Sequence, residues 1–447
     1  MGSLAAVFGG RQPCAGGAAA SMAFLGRRQN RRVLDLFPDT ARIDSGRLSV
    51  GGITAAELVR AHGSPLLVYD EATLRARACA YREAAPGASI SYGTKAFPNV
   101  AVMRVLAEEG IGADVSTLGE LRFALAAGIA GADLVVHGNN KADDELAAAA
   151  QAGALLVIDS LEEIERARAA GISRTLVRVT PGIEADTHEA VRTGHHGSKF
   201  GLSPDDALEA IRRAPETEGL HVHIGSQLRD QGAAQMAVDW VTALAARARN
   251  ELGWKLATID LGGGLGVAAT PDERELTIAA FVGGLVAELD RALAEHGLDR
   301  PHVILEPGRS LTARAGVTLY SVGSVKESAG ATAYVAVDGG MSDNPRPALY
   351  GARYTALLAD RADEPPARAY TVVGKHCESG DLLIDAVELP EPHRGDLLAV
   401  PATGAYTLAM SSTYNAVPRP AAVLVKNGHA RLIRRRETIE DLLALET

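Results

Sequence analysis

The sequence predicts an α/β fold, a (β/α)8 TIM-like barrel joined to a mostly antiparallel β domain built from both chain ends. Three observations carry the prediction. From residue 88 to 310, short apolar runs alternate with polar or Gly-rich turns and amphipathic helical stretches. Eight such units in about 220 residues fit the usual size of a closed barrel better than its competitor, a doubly wound open sheet. After residue 311 the texture shifts to short β-type runs between Gly, Pro and Asp turns, and residues 35–70 are strand-like as well.

The barrel strands are read at Ser89–Tyr92, Gly112–Val115, Asp133–His137, Leu155–Ile158, Leu176–Val179, Leu220–Ile224, Thr258–Leu261 and Val303–Leu305. Continuous apolar runs of this length suit strands buried on both faces, as parallel sheets require. Helix starts are marked by Thr117 with Glu120 and by Ser160 with Glu163, both fitting the capping box, and by Ser203-Pro204. Gly128, Gly153 and Gly171 stand where helices should stop. The later strands are read at Val317–Val325, Ala333–Val337, Ala369–Val373, Leu397–Ala399 and Ala421–Val425. One helix capped by Thr54 and Glu57 interrupts the strand-like 35–70 segment, which is expected to pack with the C-terminal strands. The implied division is a disordered tail at 1–34, a barrel at 71–310, and a β-rich domain from 35–70 with 311–447.

Composition narrows the function classes. The 447 residues are 47% hydrophobic and 22% charged, an ordinary globular balance. A net charge of −10 repels phosphate backbones, so nucleic acid is not an expected partner. Three scattered cysteines, Cys14, Cys79 and Cys377, make neither a disulfide framework nor a CxxC metal pair and suit a reducing, cytoplasmic setting. The longest apolar run, around Leu146 to Ile158, is broken by Gln151 and Gly153 and is too short for a membrane span. Residues 1–34 lack Asp and Glu and are rich in Gly, Ala and Arg. That composition suits a transit peptide, or more simply a disordered tail or a misplaced start with Met22 as the alternative.

In a barrel, chemistry sits at the C-terminal ends of the strands. The unusual polar residues fall there: Lys95, Asp114-Val-Ser116, His137-Gly-Asn-Asn140, His223-Ile-Gly-Ser-Gln227, Gly262-Gly263-Gly264 and Glu306-Pro-Gly308-Arg309. Each alone has a plain structural reading. Lys95 could snorkel to solvent, or be desolvated so that its pKa falls and its amine becomes a nucleophile. The three glycines could make a tight turn, or close backbone N–H groups on an anion with help from a following helix N-terminus. Glu306 and Arg309 could be an ion pair, or the carboxylate could face a pyridine nitrogen. His223 could be a core histidine, and no metal-ligand spacing accompanies it. Their coincidence at one face favours a site.

Beyond the barrel, Asp338 to Tyr350 places Arg346 and Tyr350 near a turn, Cys377 and Glu378 stand together in Cys-Glu-Ser-Gly-Asp, and Tyr406 opens a polar and aromatic stretch ending at Asn415. Gly, Ser and Asp around Cys377 argue for a loop in which a thiol can act as an acid.

In these motifs the chain resembles the alanine-racemase-fold decarboxylases, in order and at fitting spacings from about residue 50 to the C-terminus. His-Ile-Gly-Ser-Gln, Glu-Pro-Gly-Arg and Cys-Glu-Ser-Gly-Asp carry the resemblance, and Thr193-Gly with Lys199-Phe-Gly201 resembles that family's loop after strand five. The resemblance implies pyridoxal 5'-phosphate as cofactor, held covalently by Lys95, with Asp114 beside it and His223 stacked on its ring. It implies a phosphate cradle from Ser226, Gly262, Gly263, Gly264 and Gly308, with Glu306 at the pyridine nitrogen. Arg309, Arg346 and Tyr350 would bind substrate carboxylate, Glu378 the distal amino group, and Tyr406 both cofactor and substrate. Cys377 would reprotonate the α-carbon. The resemblance also implies a homodimer in which Cys377 and Glu378 serve the other subunit's site; the lack of metal-ligand spacing leaves no metal expected.

The implied reaction is decarboxylation of meso-2,6-diaminopimelate to L-lysine, the arginine pair selecting a diacid over ornithine or lysine. Three positions depart from the family's pattern: Gly93 where alanine is usual, Phe97 where asparagine is frequent, and Thr-Leu-Ala after Tyr406. The first touches packing near Lys95, and the second is expected to alter the pocket wall. A decarboxylase for another diamino acid, a silent regulatory relative and a racemase are the alternatives. Arg346 and Tyr350 count against the first, retained Lys95 and Cys377 against the second, and the Cys-Glu-Ser-Gly-Asp cluster against the third.

Overall fold

The structure, a computed structural model, describes residues 32–182, 198–223, 225–328 and 332–447. The chain enters through short antiparallel strands β1 (Arg42–Asp44), β2 (Arg47–Val50) and β3 (Ile53–Thr54). Thr54 then caps the helix Ala55–His62 in a reciprocal box with Glu57, as its sequence predicts. β4 (Leu66–Asp70) follows and is buried along its whole length.

Eight strands then close a ring: β5 (Ser89–Gly93), β6 (Gly112–Val115), β7 (Leu134–Val136), β8 (Leu155–Ile158), β9 (Thr175–Val179), β10 (Gly219–Val222), β11 (Thr258–Asp260) and β12 (His302–Leu305). Every neighbouring pair is parallel, and β12 returns to pair with β5. The runs lie within a residue or two of the predicted ones because parallel strands covered on both faces must be apolar throughout. Val135, Leu155, Val157, Leu176 and Ile304 form a cluster of their own, while alternate strand residues join the larger core under the helices.

The second sheet takes up β13 (Gly316–Glu327), β14 (Ala333–Val337), β15 (Leu357–Leu358), β16 (Arg368–Val373), β17 (Leu382–Leu389), β18 (Leu397–Pro401), β19 (Ala421–Lys426) and β20 (His429–Arg434). Its main path runs β17-β16-β14-β13-β4-β19-β20, with β18 pairing β13 and β15. Only β14–β16 and β19–β4 are parallel among these pairs. β4, from before the barrel, is therefore an internal strand of this sheet. Tyr69 on β4 stacks on Phe97, ring centroids 4.6 Å apart and planes 7° apart, which ties the sheet to the turn beside β5.

Several expectations change. Thr117 accepts from the Glu120 N–H as predicted, but Glu120 turns back to the Ser116 N–H rather than to the cap itself. Ser160 sits before a helix that begins only at Glu163, whose carboxylate takes the Asp159 N–H and the Lys141 ammonium instead of closing a box. Phe97 is not a pocket wall; it is buried in the stack on Tyr69. Residues 1–31 of the expected tail lie outside the described residues, but Val33 is buried with Phe37 and Leu48 and so belongs to a core.

Phe97→Ala should destabilise the protein by about 3–5 kcal/mol, the usual cost of emptying a buried aromatic site. Urea unfolding of the full chain measures it, and an unchanged midpoint would refute the packing role given to the Tyr69 stack.

Candidate active site

The ends of β5, β6, β10, β11 and β12 converge on one rim because the ring is closed and parallel. Backbone hydrogen bonds lace the loops beyond them. The Glu306 N–H donates to Gly262 O (2.8 Å), the Gly93 N–H to Pro307 O (3.1 Å), and the Leu228 N–H to Gly264 O (2.9 Å). Glycine is required in this lacing. A Cβ on Gly263 would stand 2.2 Å from the Glu306 carbonyl oxygen, and Gly262 has φ +65° with His223 Nδ1 2.5 Å from where its Cβ would be. The Gly262 and Gly263 N–H groups donate to Asp260 and His223. No helix N-terminus follows the three glycines, since the next helix begins at Ile278; that part of the expectation is corrected. Ser226 lies, half-buried, in the β10 loop that meets Gly264.

Lys95 stands in a single 3-10 turn after β5, its side chain half-exposed, with Nζ 2.8 Å from Asp114 Oδ2 at the end of β6. Burial favours loss of its proton, but the charges of Asp114, Tyr406 and Glu306 outweigh that and hold the amine above its ordinary range. This reverses the expectation of a lowered pKa. Desolvation is the largest single influence, yet the neighbouring negative groups together outweigh it. His223 accepts from the Gly263 N–H on Nδ1 (3.2 Å). Burial, then the positive charges of Lys95 and Arg178, keep its imidazole well below the usual value, hence neutral.

Glu306 is buried beyond β12, with Oε1 2.5 Å from His137 Nε2 and Oε2 3.2 Å from His221 Nε2. It is not an ion pair with Arg309. Arg309 follows Gly308 in the short helix Arg309–Thr312 and lays its guanidinium 4.5 Å over the Tyr406 ring. Tyr406 has φ +59° and donates its N–H to Ala96 O (2.8 Å), so it reaches from the Lys95 turn to Arg309. Arg346 and Tyr350 flank a cavity of about 400 Å³ that Arg309, Arg229 and Gln227 also line. Arg346 donates to Tyr354 Oη (2.5 Å). Among the described residues neither Arg309 nor Arg346 has a carboxylate partner, and both Nε atoms are buried without one. Burial and the neighbouring Arg346 press Arg309 down to about 10.

Cys377 and Glu378 are exposed and stand apart: among the described residues no hydrogen bond or ion pair links them to Lys95 or the arginines. Their loop is tied elsewhere. Asp381 accepts from the Met341 and His376 N–H groups, the Cys377 N–H donates to Asn415 Oδ1, and Tyr414 Oη lies 3.4 Å from Glu378. Lys199 and Arg178 both lie over the Phe200 ring. Thr193 and Gly194 fall outside the described residues.

Sequence reading missed His221, Asp260, Tyr354 and Arg178, and gave His137 no role. One signal was available: residues two apart on a strand share a face, so His221 points as His223 does. The absence of metal-ligand spacing also spoke only of the sequence. The fold gathers atoms of His137, His221, Asp260 and Glu306 within 4.8 Å of one another.

Residues 71–313 match the family model described as "Pyridoxal-dependent decarboxylase, pyridoxal binding domain". Diaminopimelate decarboxylase of Actinosynnema pretiosum subsp. auranticum is 46% identical over 92% of this chain and 95% of its own length. That of Bacillus subtilis (strain 168) is 40% identical over 90% and 95%. The crystal structure of the M. jannaschii diaminopimelate decarboxylase in complex with L-lysine superposes with TM-score 0.85 at 31% identity, covering 92% of this chain and 98% of that one.

Asp114→Asn should lower the Lys95 pKa, because it removes the first of the charges that raise it. Lys95 would then be acylated at lower pH, as mass spectrometry after timed labelling across a pH series would record. An unmoved profile would transfer the effect to Glu306 and Tyr406.

Proposed function

This chain belongs to the pyridoxal-dependent decarboxylases, and from that membership we propose that it converts meso-2,6-diaminopimelate to L-lysine and CO2, the last step of lysine biosynthesis. The observation that carries the substrate is the pair of buried arginines, Arg309 and Arg346, on one cavity, neither with a carboxylate partner among the described residues. Two buried like charges repel, and a carboxylate between them would relieve both their repulsion and their missing hydrogen bonds. A diamino acid without a second carboxylate would leave the pair unsatisfied.

The residues present fit pyridoxal 5'-phosphate. A half-exposed lysine stands at the barrel mouth, a buried anion lies on the floor, and a neutral imidazole lies in the wall. Lys95 would hold the aldehyde carbon, Glu306 would face the ring nitrogen, His223 the ring, and Asp114 the Lys95 side. Ser226, Gly262, Gly263, Gly264 and Gly308, on loops already laced together, would take the phosphate. When bound, the group accepts the electron pair left at the α-carbon as CO2 departs.

The chain's own residues supply the rest. Arg309, Arg346 and Tyr350 anchor the carboxylate that is not lost, and Tyr406, fixed on Ala96 and stacked under Arg309, keeps that anchor in line with Lys95. Asp114 accepts a hydrogen bond from the Lys95 ammonium at 2.8 Å, which orients that nitrogen at the barrel mouth and holds its proton. The Cys377 thiol delivers a proton to the α-carbon, and Glu378 receives the distal ammonium. Both are exposed, and among the described residues no hydrogen bond or ion pair ties either to Lys95, which supports a homodimer with each site completed by a second copy. Free thiols at Cys79 and Cys377 suit a cytoplasmic enzyme. Among the described residues no helix is long and apolar enough to cross a membrane.

The test is CO2 and amine release by the purified protein with pyridoxal phosphate. Substrates are meso- and LL-diaminopimelate, L-lysine, and L- and D-ornithine. L-lysine from the meso isomer alone is the expected result, and turnover of ornithine or lysine would discard the substrate. Arg346→Met should lower kcat/KM roughly 10–100-fold, as loss of a charge-assisted hydrogen bond of about 1.5–3 kcal/mol implies.

A further inference from the structure

Beneath Lys95, four strand ends bring together His137, His221, Asp260 and Glu306, all buried. Two carboxylates this close and this far from water cannot both be ionised. The surroundings decide which one keeps the charge. Glu306 receives two imidazole nitrogens, one on each oxygen, at 2.5 and 3.2 Å. Asp260 receives one backbone N–H, from Gly262, on Oδ1, and its Oδ2 is buried with no hydrogen bond among the described residues. Charge therefore settles on Glu306 and the shared proton on Asp260. Burial pushes Asp260 well above the ordinary carboxyl range and Glu306 adds to it, whereas His137 and His221 overcome burial and hold Glu306 well below. Burial also presses His221 down to about 3, so it serves as a neutral donor through Nε2.

We propose that His137 and His221 are positioning residues that fix Glu306 as an oriented anion, while Asp260 is held as a neutral carboxylic acid. The inference rests on the reading above that Glu306 faces the cofactor's ring nitrogen. It adds that the ring partner does not stand alone. A lone buried carboxylate would take a proton itself, and a protonated Glu306 could not keep that nitrogen charged. A nitrogen of His137 on one oxygen and of His221 on the other removes that option. They also set both oxygens in space, so that the carboxylate cannot rotate away from the mouth of the barrel.

Three variant types separate this from a general packing role. Asp260→Asn replaces a neutral acid by a neutral amide and keeps an acceptor for the Gly262 N–H. It should bind pyridoxal phosphate with wild-type affinity and show the wild-type pH titration of the bound cofactor's visible absorbance. His137→Leu and His221→Leu should weaken cofactor binding roughly 10–100-fold and shift that titration, and His→Gln at either position, which returns an N–H near Nε2, should restore it. Infrared spectra of the cofactor-free protein at neutral pH should contain a protonated-carboxyl band that Asp260→Asn lacks. Folded leucine variants that titrate like wild type would overturn the proposal, as would absence of that band or a stoichiometric divalent metal in the purified protein that depends on these four residues. A wild-type protein that shows the band yet takes up no pyridoxal phosphate would refute the function proposed above while supporting the arrangement itself.

Discussion

The pairing of β12 with β5 is the contact on which the site depends. Ile304 aligns with Ser89 and Leu305 with Ile90, which closes the parallel ring. Closure carries residues just past β12 across to residues just past β5. Glu306, Gly308 and Arg309 thereby meet Gly93, Lys95 and, through Ala96, Tyr406. An open sheet with the same eight strands would leave these groups at opposite edges. The glycines at 262 to 264 and at 308 follow from the same constraint, because neighbouring loop backbones approach too closely for side chains between them.

Within that frame the electrostatics are sorted by depth. On the floor, imidazoles and a shared proton leave a single fixed anion. At the mouth, Lys95 and Asp114 form one neutralised pair. Farther out, Arg309 and Arg346 remain as uncompensated cations held by aromatic partners, Tyr406 and Tyr354. Buried charges without partners are expensive, and a protein keeps them where a ligand is to supply the missing charge. The order from floor to mouth thus describes a ligand that is positive at its deep end and negative toward the cavity.

The sequence made the barrel legible because burial on both faces of each strand writes a continuous apolar run, and the rim was legible because polar residues and glycines interrupt those runs at their ends. β17 was missed because Asp385 and Glu388 lie within it, and β20 because Arg431 and Arg434 read as a charged tail. Phe97 was misplaced because its stack on Tyr69 joins residues that no local pattern connects. His221 and Asp260 passed as ordinary strand residues: only the register of β10, β11 and β12 shows that they share a space with Glu306. The Lys95 charge was misjudged for a similar reason, since a neighbouring strand supplies Asp114. What the chain does not write locally is the meeting of distant strands, and that meeting makes most of the chemistry.

β4 has a consequence for synthesis. It pairs on one side with β13 and on the other, in parallel, with β19, so that Leu66 aligns with Ala421. During translation this strand, apolar from Leu66 to Val68, leaves the ribosome long before either neighbour exists. The barrel can assemble behind it, but β4 waits with both backbone edges unpaired until β13 emerges, and with one edge unpaired until β19 follows near the end of the chain. The nascent protein therefore carries an adhesive strand through most of its own manufacture.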